Sequence, residues 1–301
     1  MAENSSVHRS IVVGVDGSAP ALRAARWAAD EAARRRVPLR LVQVIDVVSA
    51  TGGFAPPPAF FAELESEGRR QLAEAETAIL QDHPELDVEL DLRTASPVST
   101  LVALSEDAQL MVLGSRGSGG FSGLLAGSTA ISLVAHGRSP VAVIRGGATG
   151  ETPPSQGPVV VGVDGSPAGE PALAAAFEEA AMRGADLVAV HAWLEYVSDS
   201  AYATARQLLV DWDAVETRER ETLAERLAGW QEKYPDVTVR RVVAGGKPAK
   251  LLLEEAGNAQ LLVVGSRGRG GFAGMLLGST SQALIHHAPC PLLVVRPVAA
   301  V

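Results

Sequence analysis

The sequence predicts two tandem α/β domains, each an open five-stranded parallel sheet with helices on both faces. Three observations predict it. The chain repeats itself: IVVGVDGS at 11–18 recurs as VVVGVDGS at 159–166, an offset of 148, and AQLMVLGSRG at 108–117 recurs as AQLLVVGSRG at 259–268, an offset of 151. Within each copy, short apolar runs alternate with helix-forming stretches, the pattern of parallel strands joined by right-handed crossovers. Finally, 301 residues suit two domains of ordinary size better than one large core.

The elements follow in order. IVVGV at 11–15 is long enough for a buried strand. Ser18 stands where it can cap the next helix, Pro20 falls in the first turn, and ALRAARWAADEAARR is helical by propensity. LRLVQVI at 39–45 is a second strand, and a loop leads from it to a helix near 61–82. Val88 to Leu92 alternates like a strand, and Val98 to Glu106 reads as a helix. QLMVLG is the fourth strand, Ser128 to Ala135 a short helix closed by Gly137, and VAVIR at 141–145 the fifth strand. The second half repeats this order and ends in LLVVR at 292–296. The net three-residue difference between the halves falls in the loop after the second strand. There Pro56-Pro57-Pro58 stands against an acidic, aromatic stretch around Trp212. The expected boundaries are a first domain at 1–146, a Gly/Pro/polar linker at 147–157 and a second domain at 158–301.

Composition narrows the function classes. With 26 Lys and Arg against 35 Asp and Glu, the net charge is −9. Non-specific nucleic-acid binding comes from cations neutralising phosphates, so no nucleic-acid partner is expected, and no polybasic face is available for an anionic membrane. MAENSSVHRS lacks the apolar core of a signal peptide, and no apolar run approaches the length of a membrane span. Cys290 lies in an apolar run and reads as a buried thiol in a reducing compartment. A cytoplasmic protein is expected.

Candidate chemistry concentrates at three places in each half. Asp16 and its counterpart Asp164 end the first strand. After the fourth strand come Gly114, two residues, Gly117, nine residues, then Gly127-Ser128-Thr129; the second copy reads Gly265, Gly268 and Gly278-Ser279-Thr280 at the same spacing. Val44 and Ala192 end the second strand. In an open parallel sheet, ligands bind beyond the carboxyl ends of the strands where strand order reverses, which is between the first and fourth strands if the order is 3-2-1-4-5. Glycines let backbone N–H groups approach phosphate oxygens without a Cβ in the way, and a helix opening at Ser128 or Ser279 attracts anions. A carboxylate repels phosphates, so Asp16 and Asp164 are expected at the nucleoside end, with Val44 and Ala192 as a flat wall for a base.

Blander explanations compete. Asp-Gly-Ser after a strand is commonly a turn and helix cap, a glycine-rich loop alone is commonly structural, and duplication alone would share both. Arg116 and Arg267 can either touch phosphate or face solvent. His191 and the His286-His287 pair lack metal-ligand spacing and read as structural. Gly268-Arg269-Gly270-Gly271-Phe272-Ala273 fits a relaxed dinucleotide fingerprint, but it follows the fourth strand and lacks the acidic residue about 20 positions on. Gly246-Lys247 is followed by Pro248, so it is no Walker A loop.

At these residues the sequence resembles the universal stress protein family, specifically its tandem two-domain, ATP-binding class. The resemblance covers nearly the whole chain apart from the linker and the loops after the second strand. It implies a Rossmann-like fold of the adenine nucleotide alpha hydrolase-like kind. It also implies two ATP molecules per chain, with which Mg²⁺ can enter. By resemblance, Gly14, Asp16 and Val44, then Gly162, Asp164 and Ala192, contact the adenosine. Gly114, Ser115, Arg116, Gly117, Ser118, Gly119 and Gly120 hold ribose and phosphates in the first half together with Gly127, Ser128 and Thr129. Gly265, Ser266, Arg267, Gly268, Arg269, Gly270 and Gly271 do so in the second, with Gly278, Ser279 and Thr280. The resemblance further implies a cytoplasmic regulator of stress adaptation or growth, pairing as a homodimer or pseudo-dimer through the fifth strands and acting on a regulatory protein partner. The glycine loops GSRGSGGFSGLLAGS and GSRGRGGFAGMLLGS contain no Asp, Glu or His, so no catalytic residue is expected. The alternatives are a slow ATPase or autophosphorylating enzyme of the same fold, and a scaffold whose nucleotide is structural.

Overall fold

A computed structural model of the chain describes residues 9–47, 50, 57–117, 126–145, 152–193, 211–269 and 276–297. The chain forms two compact units, Met1–Pro153 and Pro154–Val301. The division falls inside the Gly/Pro/polar stretch.

In the first unit the order is β1 (Ile11–Gly14), α1 (Ala19–Arg35), β2 (Leu39–Ile45), α2 (Pro58–Leu80), β3 (Val88–Thr94), α3 (Pro97–Leu104), β4 (Leu110–Gly114), α4 (Ser128–His136) and β5 (Val141–Ile144). Its strands run parallel in the order β3-β2-β1-β4-β5. The second unit has β6 (Val159–Gly162), a 3-10 turn (Pro167–Gly169), α5 (Glu170–Arg183), β7 (Leu187–Ala192), α6 (Trp212–Lys233), β8 (Val239–Ala244) and α7 (Pro248–Glu255). A second 3-10 turn (Ala256–Asn258) leads to β9 (Leu261–Gly265), α8 (Ser279–His287) and β10 (Leu292–Val295). Its order is β8-β7-β6-β9-β10, again parallel. In each unit the order reverses at the first strand, which opens a crevice beyond the carboxyl ends of β1 and β4, and of β6 and β9.

Residue type explains the layering. Ile11, Val13, Met111 and Val112 are completely buried, as strands covered by helices on both faces require. The alanines of α1 (Ala21, Ala24, Ala25, Ala28 and Ala32) form a buried small-residue stripe that packs close to the sheet. The edge strand β3 stays partly exposed and carries Asp91, which pairs with Arg40 of β2 at 2.9 Å and with Arg93 at 2.9 Å. Charge on an edge discourages further strand pairing. Its extent is longer than the alternation at 88–92 suggested, because β2 supplies partners as far as Ile45, opposite Thr94.

The two units start their first helices differently. Ser18 caps α1, its Oγ accepting from the Ala21 N–H at 3.3 Å. The equivalent Ser166 instead donates its hydroxyl to Asp164, and the chain makes a 3-10 turn before α5 begins. Both helices carry an ion pair at matching positions: Glu31 with Arg35 at 3.5 Å, and Glu179 with Arg183 at 3.1 Å.

Candidate functional site

At the crevice of the second unit lies a cavity of about 460 Å³, a size typical of small-molecule sites. Its walls come from five places: the end of β6 with Asp164; the end of β7 with Ala192 and Trp193; Pro248 and Leu252 of α7; the glycine loop after β9; and the first turn of α8. Gly162, Gly265, Arg267, Gly268, Arg269, Gly278, Ser279 and Thr280 all line it. Sequence positions more than a hundred residues apart therefore converge on one space.

The loop closes on itself in the same way in both units. The Gly127 N–H donates to the Ser115 carbonyl at 2.8 Å, and the Gly278 N–H to the Ser266 carbonyl at 2.8 Å. Gly127 and Gly278 then act as extended N-caps of α4 and α8, and neither helix has a side-chain cap. The first-turn N–H groups are left for another acceptor, and the helix dipole adds its positive end. Ser128 and Ser279 are exposed in these turns, with Thr129 and Thr280 half-buried behind them.

Asp16 and Asp164 are held by the turns that follow them. Asp16 accepts from the Ser18 N–H at 3.1 Å; Asp164 accepts from the Ser166 N–H at 2.9 Å and from its hydroxyl at 2.8 and 2.9 Å. The intervening Gly17 and Gly165 sit at φ +76° and +73°, the left-handed region that favours glycine. A carboxylate offers about four acceptor positions, so Asp164 keeps capacity for a ligand hydroxyl.

Several glycines also have packing reasons to be glycine. A Cβ on Gly117 would stand 2.5 Å from Asp16 Oδ2, and one on Gly268 3.2 Å from Asp164 Oδ2. The loop glycine and the strand-end carboxylate are neighbours. Gly114 lets β4 close on the first turn of α1, where a Cβ would meet the Pro20 backbone at 2.9 Å. Gly14 makes room for Leu113, and Gly162 for Leu252 and Val264. Ser115 and Ser266 are buried, their N–H groups donating to the carbonyls of Ile144 and Val295; Ser266 is not among the residues that line the cavity. Arg116 and Arg267 are exposed. Val44 is half-buried at the end of β2, as Ala192 is at the end of β7. Ser118, Gly119, Gly120, Gly270 and Gly271 lie outside the described residues.

A polar chain braces each Asp-Gly-Ser turn from below. In the second unit, buried His191 contacts the Val163 carbonyl through Nδ1 at 2.6 Å and Glu219 through Nε2 at 2.8 Å. Glu219 reaches Arg269 at 3.8 Å, and the Arg269 guanidinium lies against Gly165. In the first unit Gln43 takes the place of His191: it donates to Gln71 at 2.6 Å, and Gln71, lying against Gly17, donates to Glu67 at 2.6 Å. Near the first glycine loop, burial and the neighbouring Arg116 guanidinium hold Arg145 below the usual arginine range. Trp193, Leu252 and Ser281 line the cavity without belonging to any sequence motif. Ser281 donates to the Gly265 carbonyl at 2.7 Å. The one available signal was position, since Trp193 directly follows the last residue of β7. Among the described residues no group of three His, Cys, Asp or Glu side chains could hold a metal ion, and no helix is long and apolar enough to cross a membrane.

Known proteins share this organisation. The profile of the universal stress protein family matches residues 8–145 and again residues 157–296. Universal stress protein Rv2005c of Mycobacterium tuberculosis is 45% identical over 291 residues, which cover 95% of this chain and 96% of that protein. Universal stress protein Rv2623 of the same organism is 43% identical over 298 residues, covering 97% of each. The crystal structure of a universal stress protein from Archaeoglobus fulgidus has the same fold, with a TM-score of 0.68 at 21% identity, covering 96% of this chain and 97% of that one. Two matches in tandem, each spanning a strand-end aspartate and a glycine loop that opens a helix, establish that the chain belongs to the universal stress protein family.

Proposed function

We propose that each unit binds one ATP and that the protein regulates stress adaptation or growth through nucleotide occupancy, without turnover as its purpose. The observation that carries this reading is the helix start without a side-chain cap at the end of the glycine loop, facing a cavity of about 460 Å³. Free N–H groups at a helix N-terminus, with Arg267 and Arg269 beside them, suit the phosphates. Asp164 and the end of β7 suit the ribose and base. ATP occupancy changes the surface around the helix start, and that surface is what a regulatory protein reads. The proposal includes a cytoplasmic location and pairing through the fifth strands; analytical ultracentrifugation of the purified protein would read whether the chain self-associates.

Phosphoryl transfer needs a positioned base or water-orienting group, and usually a carboxylate-held Mg²⁺. Among the described residues lining the cavity there is one carboxylate, Asp164, and no histidine. That carboxylate already accepts hydrogen bonds from Ser166. Mg²⁺ would enter with ATP, held by phosphates and water. Single-turnover assays are expected to show hydrolysis far slower than about 1 per second; turnover in the ordinary enzyme range at or above about that rate would overturn the reading.

A further inference from the structure

We propose that Trp193 is a base-stacking residue that gives the second unit a selectivity for aromatic bases which the first unit lacks; the inference rests on the nucleotide-binding reading above. Trp193 lines the cavity one residue beyond Ala192, the last residue of β7. Its Nε1 is buried, so what it offers a ligand is the ring and not a hydrogen bond. Trp212, at the start of α6, backs it with a centroid distance of 5.7 Å and an interplanar angle of 31°. This fixes the ring without a ligand. Gly245 lies on the neighbouring segment, where a Cβ would come within 3.3 Å of the indole.

The first unit is built differently at both positions. Ile45 takes the place of Trp193 and Thr94 that of Gly245, and the two are paired across β2 and β3. Ile45 is buried. A large ring beside a glycine stands where the first unit has a medium side chain beside a β-branched one, so local volume is kept while an aromatic surface takes the place of an aliphatic one. A base has a π-face whatever its edge groups, so stacking favours a nucleotide over a bare phosphate chain and discriminates little between purines.

The test is equilibrium binding of ATP, GTP and inorganic tripolyphosphate to wild type, Trp193→Ile and Trp193→Phe. Trp193→Ile, which copies the first unit, is expected to weaken ATP and GTP alike by roughly ten-fold or more at one of two sites, in line with the loss of one base stack. The other site and the tripolyphosphate affinity stay at wild-type values, and Trp193→Phe recovers most of the loss. Two unchanged ATP sites in Trp193→Ile would overturn the proposal. Loss of tripolyphosphate binding together with ATP would also overturn it, by making Trp193 a support of the whole site. Failure of the wild-type protein to bind ATP would overturn the functional reading itself, and this inference with it.

Discussion

A methyl group added at Gly117 would lie 2.5 Å from the Asp16 carboxylate, closer than real contacts allow, whereas at Gly268 the same addition meets Asp164 at 3.2 Å. Gly117→Ala therefore forces Asp16 or the loop to move, while Gly268→Ala asks for a shift of a few tenths of an ångström. Isothermal titration is expected to show Gly117→Ala weakening ATP at one site by about ten-fold or more, roughly 1.4 kcal/mol, and Gly268→Ala doing markedly less. Equal effects at both glycines would contradict the contact geometry. Cys290 supplies a second residue-scale outcome. Burial pushes its thiol up to about 12, so almost no thiolate exists at pH 8 in the folded protein. Iodoacetamide is expected to leave the native chain unlabelled and to modify it after denaturation; rapid labelling of the native chain would contradict its burial. Asp16, Asp164 and the glycine spacing were all visible as sequence. Their contact was not, because it joins the ends of two strands that become neighbours only through the sheet order.

Elements carry the next set of consequences, because equivalent residues perform different duties in the two units. Ser18 caps α1, so Ser18→Ala is expected to lower the stability of the first unit by about 1 kcal/mol in urea denaturation. Ser166 donates to Asp164 instead. Ser166→Ala is thus expected to act more on ATP affinity than on stability, and a stability loss as large as that of Ser18→Ala would contradict this division. The pair Glu179 and Arg183 is almost fully buried at 3.1 Å. Removing one partner breaks this buried pair, and Glu179→Ala is expected to destabilise the second unit by about 3 kcal/mol. The succession of strands and helices in each unit was legible because apolar runs and glycine turns punctuate it clearly; the lateral order of the strands was not, since it is set by pairing between distant segments. The 3-10 turn before α5 was not, since DGSAP and DGSPA differ only in where proline falls. Nor was the chain from His191 through Glu219 to Arg269: its members sit on a strand, a helix and a loop, and no local spacing relates them.

At the scale of the whole molecule, the duplication has preserved the site's frame and let its walls diverge. Both units keep the strand-end carboxylate, the glycine loop closed by a 2.8 Å hydrogen bond, and a helix start without a side-chain cap. They differ in what surrounds that frame. The first has Gln43 and Ile45 where the second has His191 and Trp193. Two sites of one kind but unequal affinity follow from this arrangement. The direct test is to count adenine nucleotides by native mass spectrometry of the purified chain titrated with ATP. The account predicts successive addition of two ATP masses per chain, at distinguishable concentrations. Saturation at one, or no addition at all, would contradict it.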